Sequence, residues 1–239
     1  MDVIDGFIVG IYNYCDRWCE TCAFTSRCRS FADRAAVEAE LDPNFKAVAD
    51  APPLPQEAPE PPPQWLQECI DEMNEAAAEI AKLDVSQDEV RQRIYDYVSP
   101  EHRTIEQRAR AYSLATAGWL QTVDLPAERD HADPRSVLWH DCAFIPAKIY
   151  RALGGLRMWR EDPHDWPADH DGSAKVALIS IDRSRVAWIA VAERGIASTA
   201  DVEPFVSELG VLGDELERVF PKARAFIRPG FDEPEAIGQ

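Results

Sequence analysis

The sequence predicts an all-α protein, a helical bundle preceded by a short N-terminal cysteine-rich module that binds metal. Three observations carry this expectation. Apolar residues recur at three- and four-residue steps through most of the chain's second half. Capping and proline signals mark where those runs begin and end. Four of the six cysteines fall inside one stretch, "YCDRWCETCAFTSRC" at residues 14–28.

The chain divides, on composition, into a cysteine-rich module (1–41), a proline-rich linker (42–63) and an acidic helical bundle (64–239). The linker holds eight of the eighteen prolines. Such density excludes a helix interior or a central strand and favours an extended, partly polyproline conformation. Beyond it, Leu66, Cys69, Ile70, Met73, Ala76, Ala77, Ile80 and Leu83 form an apolar stripe, with Glu68, Glu72, Glu75 and Glu79 on another face. "SQDE" at 86–89 is a capping box opening a short helix towards Val98. Ser99-Pro100-Glu101 starts the next helix, which sets Ile105, Ala109, Tyr112, Thr116, Trp119 and Val123 on one side. Asp133-Pro134 repeats the start signal, and Gly154-Gly155 reads as the stop. The segment 174–193 is apolar at nearly every position, so periodicity cannot separate a buried helix from a hairpin. Ser173 as a cap, and no Gly or Asn at the would-be turn, favour helix. A last helix begins near Asp201 and ends before Pro221.

Bulk properties narrow the function. The 239 residues carry a formal charge of −18, from 43 acidic and 25 basic side chains. Nucleic acid binding needs a basic footprint, so a protein partner docking on the acidic bundle is the better expectation. No run of about 18 apolar residues suggests a membrane span. The N-terminus has aspartates where a secretory signal has Lys or Arg, which points to the cytoplasm. Thiols clustered in that compartment are metal ligands or reactive groups more often than disulfides. Oligomeric state is not readable.

The cluster is spaced Cys15-x3-Cys19-x2-Cys22-x5-Cys28. Four thiolates in one short run fit a 4Fe-4S cluster, with structural zinc as the alternative. A fully ligated centre leaves no open iron, which suits electron transfer, sensing or bracing. Trp18, Phe24 and Phe31 are candidates for an apolar shell, and Arg17, Arg27 and Arg29 for countercharge. Cys15, Cys19 and Cys22 resemble the CxxxCxxC triad of radical S-adenosylmethionine enzymes. Thr21 stands where that family usually has an aromatic, and the body lacks a partial barrel's alternating strands and helices. "CETCAFTSRC" is similar in spacing to the iron–sulfur closure of RecB-like nucleases, which implies a cluster but no nuclease activity. "YNYCDRWCETCAFTSRCRSF" and "GSAKVALISIDRSRVAW" resemble a group of bacterial helical proteins of unknown function. That resemblance implies a helical body and no activity.

A second site is conceivable around His140, Asp141 and Cys142, where Pro146 interrupts the helix "SVLWHDCAFIPAKIYRAL". It would make the chain a metalloenzyme with a metal or acid–base centre near His140. Glu68, Glu72, Glu101, His102 and the Glu128-x-x-His131 pair are further candidate ligands. The plainer reading is a kinked core helix with a buried Cys142. Asp182, Arg183 and Arg185 interrupt the most apolar segment, so Asp182 and an arginine are expected to pair internally. His164 and His170 read as loop residues.

Overall fold

Local signals account for where two of the helices begin. The Asp133 carboxylate accepts the Arg135 backbone N–H at 2.8 Å and the Ser198 hydroxyl accepts that of Asp201 at 3.2 Å. The computed structural model describes residues 2–41, 71, 74–75, 97–126, 130–163 and 169–233. Those residues are mostly helical, as the all-α expectation requires. The linker 42–63, the 66–83 stripe apart from Asp71, Asn74 and Glu75, and the 86–89 capping box lie outside them.

The chain forms two compact units, one of Met1–Phe24 with Val98–Gln239 and one of Thr25–Tyr97. The first boundary therefore falls inside the sequence-defined module 1–41. In the second unit a 3-10 turn, Thr25–Arg27, leads to α1, Arg29–Leu41. The Cys28 carbonyl accepts the Phe31 and Ala32 amides, both at 3.1 Å, so Cys28 heads that helix.

The first unit opens with a small hairpin that breaks the all-α pattern. Strands β1 (Val3–Ile4) and β2 (Phe7–Ile8) are antiparallel, with Val3 opposite Ile8. Asp5 and Gly6 make the turn at φ 52° and 82°. Two positive φ values in an Asp-Gly pair are what a two-residue hairpin needs.

Among the described residues four helices form the body. In α2 (Arg103–Leu120) Ile105, Ala109, Tyr112, Thr116 and Leu120 are buried. Helix α3 (Pro134–Glu161) runs through Pro146 and past Gly154-Gly155, where a stop was expected. A glycine stop needs a left-handed residue, and neither glycine has positive φ. A glycine stop of that kind closes the next helix, α4 (His170–Glu193), where Gly195 takes φ 67°. There the Ile196 N–H reaches the Val191 carbonyl and the Gly195 N–H that of Ala192, each at 3.0 Å, a Schellman closure. Helix α5 is Thr199–Val219, burying Val202, Leu209, Leu212 and Leu216.

Segment 174–193 is thus helix, and its uniform apolarity has a cause. Helix α4 packs on α3, on α5 and on the turn Ala223–Ala225, which buries most of its first half, while Val186 and Ile189 stay exposed in its second. It starts earlier than Ser173, and His170, expected in a loop, is a buried first-turn residue. Residues 220–233 then fold against the N-terminal segment. Tyr14 meets Phe226 at 4.9 Å between ring centroids, and Phe24 meets Phe231 at 5.1 Å. At Gly230 (φ 79°) a Cβ would stand 2.9 Å from Ile11 Cδ1, so only glycine fits. Among the described residues no helix is long and apolar enough to cross a membrane.

Candidate functional site

Three of the four clustered cysteines sit on a run of tight turns. Residues Ile11–Asn13 and Cys19–Thr21 are 3-10 turns, and Arg17 between them takes φ 59°. The Asp16 carboxylate accepts the Trp18 N–H at 3.3 Å, closing the bend locally. Cys22 Sγ accepts the Phe24 N–H at 3.4 Å, whereas Cys15 Sγ donates to the Tyr12 carbonyl at 3.5 Å and feels the Arg17 amide electrostatically.

Burial pushes the Cys15 and Cys22 thiols up, and these amides pull the other way. Cys22 is raised further by charge on Cys15 and Cys19. Cys28 belongs to the second unit. None of the five described cysteines forms a disulfide. Among the described residues no three His, Cys, Asp or Glu side chains converge closely enough to hold a metal ion.

The turn-rich segment lies along α3 and α4, held by side chains from both. On α3 the positions 140, 144, 148 and 151 share one face. Lys148, only 6% exposed, donates to the Asn13 carbonyl at 2.9 Å. Burial pulls its ammonium down to about 8, with repulsion from Arg151 adding to the shift. Tyr14 occupies space at Gly172 of α4, where any Cβ would run into its ring. Burial and then the Asp169 carboxylate push the Tyr14 hydroxyl up, and Asp169 is itself paired with Arg151 at 2.5 Å.

The strongest polar contacts centre on Asp141, which is fully buried. Arg183 grips it through Nε at 3.0 Å and a terminal nitrogen at 2.6 Å, the fork geometry of a guanidinium on a carboxylate. The Ser184 hydroxyl donates to Asp141 at 3.1 Å, and His140 Nδ1 lies 2.8 Å from its other oxygen. The remaining terminal nitrogen of Arg183 reaches Asp16 at 2.6 Å. Burial opposes ionisation of Asp16, but Arg183 outweighs it and holds the carboxyl below its ordinary range.

Trp18 meets His131 at 3.7 Å and His140 at 4.6 Å, centroid to centroid, both tilted contacts. Thr21 Oγ1 and His131 Nε2 lie 2.6 Å apart. A cleft of about 340 Å³ opens beside them, lined by His131, Val137, Arg183, Val186 and Arg194 among others.

Several sequence candidates take other places. Asp182 is exposed and pairs with Arg224 at 2.6 Å, so the buried acid of the α4 pair is Asp141, supplied by α3. Asp182 faces out because it sits one residue, about 100° of helix, away from the face Arg183 uses. Arg185 is exposed. Cys142 is buried, donates to the Trp139 carbonyl at 3.2 Å and is pushed up by burial. Glu101 meets Arg160 at 3.4 Å and His102 at 3.9 Å at the start of α2. Arg17 is exposed, Arg29 pairs with Asp33 at 2.8 Å, and Trp18 is buried as a shell residue would be. Glu68, Glu72, Glu128 and His164 lie outside the described residues. Sequence reasoning missed Asp16, Tyr14, Thr21 and Lys148. Lys148 alone left a signal, a single charge within the apolar stretch Cys142–Tyr150.

No protein-family model, curated protein or solved structure matches the chain.

Proposed function

We propose that the chain is a metal-binding protein in which Cys15, Cys19, Cys22 and Cys28 ligate a 4Fe-4S cluster in a redox, sensor or accessory role. The observation that carries the reading is the Phe24 backbone N–H aimed at Cys22 sulfur, within the four-thiol run. A neutral thiol gains little from such a donor, whereas a metal-bound thiolate is stabilised by it and its potential is tuned by it. Cys28 enters on sequence spacing, six residues after Cys22.

Metal binding would supply the free energy that draws the sulfurs to ligating distance, since such sites are rarely preformed. Loading would release protons from the raised thiols and so strengthen as pH rises. The closed ligand shell favours electron transfer or bracing over substrate binding. The acidic surface suits a protein partner better than nucleic acid, and a reducing cytoplasm would keep the thiols available. The His140–Asp141 pair reads better as structure than as an acid–base or second metal centre, because Arg183, Ser184 and His140 already occupy both Asp141 oxygens.

The test is metal and sulfide analysis with electron paramagnetic resonance on anaerobically isolated full-length protein. The expected result is brown protein with about four irons and as many labile sulfides per chain. Colourless protein with about one zinc per chain would replace iron by the zinc alternative. Protein that takes up neither metal on reconstitution overturns the reading.

A further inference from the structure

Cys15 lies between two residues that the helical body holds. Asn13, two positions before it, gives its carbonyl to Lys148 of α3, and Asp16, directly after it, is paired with Arg183 of α4. Neither cation is a mobile surface group. Arg183 is fixed from behind by the fully buried Asp141, which Ser184 and His140 hold in turn. Lys148 is almost wholly enclosed, and the Asn13 carbonyl is the hydrogen-bond acceptor at its ammonium.

A bundle that needed only stability would be served as well by apolar residues at positions 141, 148 and 183, because desolvating charge offsets most of what pairing returns. What the charges add is geometry. A guanidinium pinned on one carboxylate has one direction left in which to meet a second. A buried ammonium with a single carbonyl partner fixes the height of the backbone there. Tyr14, wedged against Gly172, fixes the residue between.

We propose that Arg183 and Lys148 are positioning residues for the cysteine centre, holding the Cys15 turn against α3 and α4 so that the body dictates how that thiol is presented. The consequence for metal loading rests on the metal-binding reading above, whereas the seating of the turn does not.

The experiment uses the full chain, first reduced and metal-free. Cys15 alkylation by N-ethylmaleimide is timed by peptide mass spectrometry in wild type, Asp16→Asn, Lys148→Met and Asp182→Asn. Asp16→Asn leaves the Asp141–Arg183 pair intact, so the body stays folded. Asp182→Asn breaks an ion pair on the same helix away from the turn. Both Asp16→Asn and Lys148→Met should speed alkylation about tenfold, the scale expected when one charge-assisted bond is lost from an opening equilibrium. Asp182→Asn should match wild type. The two test substitutions alter charge near Cys15 in opposite senses, so acceleration by both reports release of the turn and not an altered thiol acidity.

The same variants are then reconstituted with iron and sulfide. Lower iron retention and a changed resonance spectrum in both are expected. Unchanged alkylation in both, or acceleration in one with slowing in the other, overturns the positioning role whatever metal is found. Acceleration in both with no metal uptake by wild type supports the seating and refutes the metal reading.

Discussion

Trp188 and Arg183 stand five residues apart on α4 and meet two different kinds of interior. Trp188 has no exposed surface. It stacks on Phe205 at 4.1 Å with rings 15° from parallel, meets Trp119 edge-on at 4.7 Å, and donates its indole N–H to the Tyr112 hydroxyl at 3.2 Å. Arg183 instead binds Asp141 and Asp16 through directed charge-assisted bonds. Apolar burial is non-directional and scales with area, so the Trp188 end contributes stability and tolerates adjustment. The Arg183 end contributes little net free energy but specifies where a separate stretch of chain must lie. One helix thus supplies cohesion at one end and location at the other.

That contrast makes graded predictions. Trp188→Ala should lower the stability of the first unit by about 3–5 kcal/mol, read from urea unfolding followed by fluorescence or circular dichroism. Asp141→Ala should cost about as much, roughly 3–5 kcal/mol, because it strands a guanidinium that is mostly enclosed. The two ends should then part company. Asp141→Leu combined with Arg183→Met should recover much of the Asp141 loss, since an apolar pair replaces an ionic one. No second substitution should rescue Trp188→Ala so fully. Failure of the double variant to outperform Asp141→Ala would mean that the polar end is itself a main source of stability.

Tyr112→Phe comes next, at about 1 kcal/mol for one lost buried hydrogen bond. It also has a pH signature. Burial pushes the Tyr112 hydroxyl up to about 12. The unfolded phenol ionises near 10, so between about 10 and 12 the unfolded chain loses a proton that the folded chain keeps. Stability contributed by this group is therefore intact below about pH 10 and lost as pH rises towards 12. Urea midpoints of wild type and Tyr112→Phe should converge over that window, and parallel curves would refute the assignment. The smallest effect belongs to Asp182→Asn. Its partner Arg224 and Asp182 itself are each nearly half exposed, so the change should stay within about 0.5 kcal/mol and fade in salt.

How much of this was legible varies by element. The start of α3 at Asp133 and the buried run Ile105, Ala109, Tyr112 and Thr116 of α2 followed from local chemistry, whereas Leu120 is buried at the end of α2 in place of the expected Trp119 and Val123. The N-terminal hairpin was legible too, since Asp5-Gly6 between apolar pairs is a strong turn signal, but the helical pattern of the rest drew attention from it. Gly154-Gly155 misled because composition alone does not say which glycines adopt positive φ. The glycine stop that did form, at Gly195, closes the following helix, α4.

The candidate site divides the same way. The four cysteines and the odd charge at Arg183 stand out in the one-dimensional string, whereas Arg183's partners do not. Asp141 lies 42 positions before it and Asp16 lies 167 before it, while Lys148 and Asn13 are 135 apart.

By itself the sequence determined most of the helices, the Asp133 cap and the clustering of thiols, because hydrogen-bond closure and apolar periodicity are set by residues within a turn or two of each other. Only the tertiary structure decided that Asp141, not Asp182, is the buried acid, and that the cysteine turn lies against α3 and α4. Those outcomes depend on which helix faces meet, a choice made by packing across the whole body and recorded in no local stretch.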